Sequence, residues 1–299
     1  MPTEQLEPYL SRLPDERHRD IAEELFAWTT SACSPQRDHT WHAENTFLSA
    51  IFAVSCAPPD ATRWELRTSG KYVAFFWYLD NGPRHELVEL ASQLHGGQPT
   101  TAGSLGALYR AFIIDMQSAN LDTRHVEQAI GEAVAAMARE PHCNPAEMSW
   151  EEFRTHRYKN IGTYPHLACW RAIRRLEYPD TPSEAELMDQ AVESTYLSND
   201  LASFFKEAHN AESGAVTSNF VLFYTWLWGD QDNAIAAAIT RYNEIINGLQ
   251  QSRNRLAPLL GHIIDGVLDG QRFLTSFRYP NGDEPMQQLR HYADHSQDR

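Results

Sequence analysis

The chain has 299 residues, a mass of 34.1 kDa and a formal net charge of −15. With 42% hydrophobic and 11% aromatic residues it is not a disordered chain. So acidic a surface, without a basic patch or tail, argues against a general nucleic-acid or anionic-membrane binder, although a local cluster of cations or metal ions could still hold an anionic ligand.

Residues 1–35 read as helical, with Ile21, Leu25, Phe26 and Trp28 spaced for one buried face, and Trp41 to Phe52 continues in the same style. After a loop at Pro58-Pro59-Asp60, the apolar stretch Lys71–Leu79 is short enough for a buried strand. It has few β-branched residues and no turn signal before Asn81-Gly82-Pro83, which favours a helix ending just after Asp80. Further helices are predicted from Arg84 through Leu94, over Leu105–Met116 and over Val126–Met137. Pro141 to Pro145 breaks the chain. A helix over Trp150–Arg157 is interrupted around Gly162 to Pro165, where Gly loosens the helix and Pro removes a donor, and resumes through Leu167, Trp170 and Ile173. Ala185–Glu207, Phe220–Trp228, Ala234–Leu259 and His262–Phe277 complete about ten helices, and the polar tail from about 281 is expected to be mobile.

Strand signals are nearly absent, and no repeat, low-complexity segment or composition step marks a linker. The expectation is one all-α domain over 1–299. Cys33, Cys56, Cys143 and Cys169 form no CxxC pair and read as buried thiols of a reducing compartment. Met1 to Asp20 lacks the apolar core of a signal peptide, and no apolar run approaches the ~20 residues of a membrane helix, so a cytoplasmic protein without a membrane span is expected.

In a helix, Asn199, Ser203 and Glu207 stand at i, i+4 and i+8 on one face. An amide oxygen, a hydroxyl and a carboxylate stacked this way suit a hard divalent ion such as Mg²⁺. A solvated polar stripe has the same spacing. Asp80 shares a face with Trp77, Phe76 and Val73, a carboxylate at the rim of an aromatic wall or an ordinary helix-terminal acid beside core aromatics. The histidines form no HExxH or other paired metal spacing, and there is neither a GxSxG elbow nor a Gly-rich phosphate loop.

Phe76-Trp77-Tyr78-Leu79-Asp80 resembles the first, aspartate-rich motif of class I terpene synthases. Asn199-Asp200-Leu201-Ala202-Ser203-Phe204-Phe205-Lys206-Glu207 resembles their second metal motif at each defining position, in a trichodiene-synthase-like form. Arg278-Tyr279 is similar to the family's Arg-Tyr pair, and Asn219 stands where the family has an Asn beyond the second motif. In Arg157-Tyr158-Lys159-Asn160-Ile161-Gly162 the arginine resembles the family's pyrophosphate sensor, with Arg154 as a rival; Asn160 then takes the linker position and Ile161 the effector position. These pieces span roughly residues 70–280; the first four stand in the right order, which is far more specific than one motif alone, and the Arg157 segment is a fifth, looser match. One departure is clear: where the first motif normally has a second adjacent acid and a third acid further on, this chain has Asn81, Arg84 and then Glu86.

The resemblance implies a helical bundle around a central apolar pocket, and a Mg²⁺-dependent lyase that ionises a linear prenyl diphosphate and cyclises the cation. Farnesyl diphosphate is the first substrate expected and geranylgeranyl diphosphate the second. It implies Asp80, Asn199, Ser203 and Glu207 as ligands of three Mg²⁺ ions, with Mn²⁺ as substitute. Arg157, Lys206, Arg278 and Tyr279 are implied as donors to diphosphate. Phe76 and Trp77, with Trp170 and Tyr196 as further candidates, are implied as aromatic lining, and Asn160, Ile161, Gly162 and Asn219 as substrate-site residues. Homodimers are frequent in this family. The alternatives are a chain-elongating prenyl diphosphate synthase of the same fold, which would normally carry a second aspartate-rich motif at 199–207, and a non-catalytic helical scaffold, suggested by Asn81.

Overall fold

The computed structural model describes residues 5–33, 39–97, 103–140, 147–176, 181–212, 218–276, 278–279 and 281–293. They form fourteen α-helices and, among the described residues, no strand. The all-α class expected from the sequence is the class observed. The chain divides into two compact units, residues 1–138 with 165–178, and residues 139–164 with 179–299.

The first unit holds α1 (Glu7–Leu10), α2 (Glu16–Ala32), α3 (His39–Ser55), α4 (Arg63–Asp80), α5 (Arg84–Leu94), α6 (Ser104–Ser118), α7 (Arg124–Arg139, up to Ala138) and most of α9 (Thr163–Ile173). Helix α4 is its centre: α2, α3 and α6 all pack on it. It is buried nearly all round, from Leu66 through Tyr72, Val73, Ala74 and Phe75 to Leu79, as a core helix should be. A reciprocal capping box fixes its start: Thr62 Oγ1 accepts from the Glu65 N–H, and the Glu65 carboxylate accepts from the Thr62 N–H. The helix is thus two turns longer than the aromatic run alone indicated.

The second unit holds α8 (Trp150–Asn160), α10 (Pro182–Glu212), α11 (Phe220–Trp228), α12 (Gln231–Gln251), α13 (Ala257–Thr275) and α14 (Asp283–Gln287). Here α10 is the centre, contacted by α8, α11, α12, α13 and α14, and every residue from Ala191 to Ser198 is buried. Glu193 accepts from Arg241 Nε and Nη2 of α12, both at 2.8 Å.

Several boundaries differ from expectation. Within the segment read as one helical stretch, residues 5–33 hold two helices, because Pro14 cannot continue α1 and Asp15 caps α2 by accepting from the His18 N–H. Ala234–Leu259 is also interrupted: α12 ends at Gln251, and Pro258 lies in the first turn of α13, where its missing N–H costs nothing. The break after α8 comes from Gly162, at φ +79°, while Pro165 falls within the first turn of α9. The tail expected to be mobile from 281 is packed over 281–293. Met286 and Leu289 are buried, and the Asp265 carboxylate accepts from the Tyr292 and Ala293 N–H groups. Cys33, Cys56 and Cys169 are buried and, among the described residues, in no disulfide; Cys143 lies outside the described residues. Among the described residues no helix is long and apolar enough to cross a membrane.

Candidate active site

In the second unit, Asn199, Ser203 and Glu207 lie on one turn after another of α10, and this stripe is not a solvated face. Ser203 is buried, Asn199 and Glu207 are half-buried, and the neighbouring Asp200 is fully buried. The side chain that organises it comes from α8. Arg157 donates through Nε to both Asp200 oxygens (3.1 and 3.2 Å), through Nη2 to Asn199 Oδ1 (2.8 Å) and to Asp200 Oδ1, and through Nη1 to Asn160 Oδ1 (2.9 Å). Four of its five N–H groups are therefore engaged, and one on Nη1 remains. Burial works against the Arg157 charge, but Asp200 beside it, with Glu207 and Glu140 nearby, outweighs burial and holds the guanidinium protonated well above its ordinary range. Burial likewise raises the Asp200 carboxyl, opposed by Arg157 and by the Phe220 N–H that Asp200 accepts at 2.7 Å. The rival Arg154 is half-exposed and, among the described residues, its one ion pair is with Glu193, at 3.9 Å.

Asn219 joins α10 to α11. Its Oδ1 accepts from the Val221 and Leu222 N–H groups at 2.9 and 3.2 Å and so caps α11, while its Nδ2 donates to the Asp200 carbonyl (2.9 Å) and to Glu207 Oε2 (3.0 Å). Asn160 donates to Glu140 Oε1 at 3.1 Å and is followed by Ile161 and by the Gly162 break. Lys206 Nζ of α10 lies 5.3 Å from the centre of the Tyr279 ring and the Arg278 guanidinium 5.8 Å from it, so α10 and the segment after α13 bring two cations to one aromatic ring.

The oxygen donors are compatible with a hard cation. Ser203 Oγ gives its hydrogen to the Asn199 carbonyl at 2.9 Å, which leaves both oxygen lone pairs. Asn199 Oδ1 and Glu207 Oε2 each accept one side-chain hydrogen bond and keep further acceptor capacity. With one carboxylate, one amide and one hydroxyl, the set is not a cluster of acids. Among the described residues no group of three His, Cys, Asp or Glu side chains comes together as a metal site.

In the first unit, Asp80 ends α4 and is exposed. Trp77 is buried against Phe52 (ring centres 5.5 Å apart), and half-buried Phe76 stacks on Tyr72 at 6.4 Å. Trp170, suggested as lining, is a core residue whose indole N–H donates to His166 Nε2 at 3.1 Å; Tyr196, in the second unit, is buried as well. The polar residues after Asp80 are tied to other helices. Asn81 Nδ2 donates to Asn45 Oδ1 of α3 (2.9 Å) and to the Trp77 carbonyl (3.1 Å). Arg84 donates to the Met137 and Ala138 carbonyls at the end of α7, and Glu86 Oε2 accepts the Leu105 N–H at the start of α6 at 3.0 Å. Two contributors escaped sequence reasoning. Asp200 was visible only as a motif letter without a role, and nothing in the spacing marks Asn45.

No protein family and no curated protein matches the chain by sequence. Solved structures do match. The SVS_A2 protein, from ancestral sequence reconstruction, shares 15% identity at a TM-score of 0.64, over 86% of this chain and 85% of that one. Linalool/nerolidol synthase from Streptomyces clavuligerus, solved with 2-fluorogeranyl diphosphate, shares 15% at 0.62, over 88% and 98%. Germacradien-4-ol synthase from Streptomyces citricolor shares 16% at 0.50, over 91% of each chain. The chain has the fold of the class I terpene synthases.

Proposed function

We propose that this chain, built on the class I terpene synthase fold, is a terpene cyclase: a lyase that ionises a linear prenyl diphosphate with Mg²⁺, cyclises the carbocation and releases diphosphate. Farnesyl diphosphate is the first substrate and geranylgeranyl diphosphate the second. The observation that carries the reading is the Arg157 network, in which a buried guanidinium bonds Asn199 and Asp200 of one motif and Asn160 of another. A surface stripe would have no reason to be tied this way. That a protein of the same fold was solved with 2-fluorogeranyl diphosphate supports a prenyl diphosphate as substrate class.

Asn199, Ser203 and Glu207 on α10 are proposed oxygen ligands, and Asp80 at the end of α4 is proposed as another. Mg²⁺ bound by such ligands neutralises the charge that develops on the leaving diphosphate. The chain's own donors do the rest of that work: the cations Arg157, with its remaining N–H, Lys206 and Arg278, and the neutral Tyr279 hydroxyl, donate to diphosphate oxygens within a protein of net charge −15. Asn160 links Arg157 to the helix break at Ile161 and Gly162, so a pull on the guanidinium reaches the helix end. Asn219 holds the Glu207 carboxylate in place. Phe76 and Trp77 offer aromatic faces to the cation, each contact worth ~1–2 kcal/mol when desolvated.

The test is incubation of the protein with Mg²⁺ and, separately, geranyl, farnesyl and geranylgeranyl diphosphate, with extracts analysed by gas chromatography–mass spectrometry beside an EDTA control. A cyclic product from farnesyl diphosphate, abolished by EDTA, is expected. Folded protein that turns over none of the three would refute the reading, and a longer linear diphosphate as product would replace it with chain elongation. Glu207→Gln keeps an acceptor for Asn219, so its stability should match the parent while turnover falls at least tenfold. Unchanged turnover would remove Glu207 from the ligand set.

A further inference from the structure

The first motif departs from its family's pattern at 81, 84 and 86, and at each of these positions the side chain has a partner. Arg84 donates to the Met137 carbonyl at 2.9 Å and to that of Ala138, so it caps the end of α7. Glu86 accepts the Leu105 N–H at the start of α6, whose N-cap residue Gly103 has no side chain to do so. Gly103 is also what admits the carboxylate, because a Cβ there would stand 2.4 Å from Glu86 Cδ. Asn81 is the most constrained of the three. Its backbone N–H donates to the Trp77 carbonyl at 3.0 Å and its side-chain Nδ2 donates to the same carbonyl and to Asn45 Oδ1. Asn45 is buried and its own Nδ2 donates to the Trp41 carbonyl at 2.8 Å. The relay fixes both amides. Turning Asn45 over would set its oxygen against the Trp41 carbonyl, and turning Asn81 over would set its oxygen against two acceptors.

We infer that Asn81 is a positioning residue rather than a weakened metal ligand. Paired with Asn45, it clamps the end of α4 to α3 and leaves Asp80 as the one metal-ligating carboxylate of this motif. The inference rests on the cyclase reading for the role of Asp80, but the clamp itself does not. An aspartate at 81 has no hydrogen to give. Its carboxylate would face the Asn45 and Trp77 oxygens, both acceptors, and would add negative charge at a helix C-terminus. Restoring the family's acid would therefore damage the site instead of repairing it. Asn45, on a different helix and outside any motif, becomes a residue on which the motif depends.

A double-mutant cycle tests the clamp without metal or substrate: Asn81→Asp, Asn45→Ala and the pair, unfolded in urea with EDTA present. Asn81→Asp alone should raise the unfolding equilibrium constant about tenfold or more. The pair should be no less stable than Asn81→Asp alone, because removing Asn45 removes the opposing oxygen. The positioning role is read from the Mg²⁺ concentration giving half-maximal turnover, expected to rise at least threefold in both single variants. Thr62→Ala, which loses the cap at the other end of α4, supplies a similar loss of stability as control and should leave that concentration unchanged. An Asn81→Asp protein of parental stability that needs less Mg²⁺ would overturn the inference, as would strict additivity in the cycle or an equal rise in Thr62→Ala. A parent that turns over no prenyl diphosphate would sink the cyclase reading, while the metal-free cycle would still decide the clamp.

Discussion

At the scale of single residues, the second unit depends on one buried ion pair. Arg157 and Asp200 are both nearly inaccessible, and each satisfies the other while making further bonds: Arg157 to Asn160 of its own helix and to Asn199 of α10, and Asp200 to the start of α11. Such pairs are weak sources of stability as a whole but costly to break singly, because the survivor is a buried charge with no counter-ion. Asp200→Asn should lower unfolding free energy by about 3–5 kcal/mol in urea titrations. Replacing the pair with apolar residues of similar volume should cost less than that single change. Equal stability of Asp200→Asn and the parent would show that the pair does not carry charge in the folded protein. The arginine was legible from the sequence through a resemblance of motif, whereas the choice between Arg157 and Arg154 was not. Both lie on α8 one turn apart, and only packing shows which is buried.

At the scale of elements, each unit places its proposed metal ligands on the helix that its neighbours surround, Asp80 on α4 in the first and Asn199, Ser203 and Glu207 on α10 in the second. A central helix is held on several sides, so side chains at its end or along one stripe are fixed with little freedom. Asn219 does this for α10 and α11 together. Its loss removes the cap of α11 and both donors to α10, so Asn219→Ala should cost more than an ordinary cap's ~1 kcal/mol. Far-ultraviolet circular dichroism should show the loss of helical signal to be confined to about one short helix. A cost within that ordinary range would mean that the tie to Glu207 is energetically idle. Helix existence was legible from periodicity except for α14, which lies in the tail expected to be mobile, but ends were not. Pro14 and Pro258 mark breaks that a periodic pattern reads straight through, because apolar spacing can stay in phase across a short interruption.

At the scale of the whole molecule, two expectations concern stability. His166 is buried, stacks on Tyr72, and accepts at Nε2 from Trp170 Nε1, with Ser69 Oγ 2.9 Å from the same nitrogen. Burial lowers its pKa to about 3. The sign follows from linkage: the unfolded imidazole, with a pKa near 6.5, binds a proton before the folded one does. Stability is therefore complete above pH ~6.5 and is lost as pH falls toward 3, by about 2 kcal/mol at pH 5. In His166→Phe the difference in unfolding free energy between pH 7 and pH 5 should shrink by about that amount. An unchanged difference would mean that the ring charges without loss in the folded state. The second expectation is that residues 1–299 act as one domain. Calorimetry should then give a single transition with equal calorimetric and van't Hoff enthalpies, and two resolved transitions would divide the chain.

The sequence by itself determined the helical class, most helix positions and the order of the motifs. Those depend on local periodicity, turn residues and short fixed spacings, which a linear pattern carries. It also showed that the second aspartate of the first motif is missing. Only the tertiary structure decided what that absence means, because the partner of Asn81 is 36 residues away on α3, and Glu86 serves a helix that begins 18 residues further on. Tertiary packing likewise decided that the stripe on α10 is not a solvated face and that the segment after α13 is packed. Burial and hydrogen-bond partners join residues distant in the chain, so no local pattern contains them.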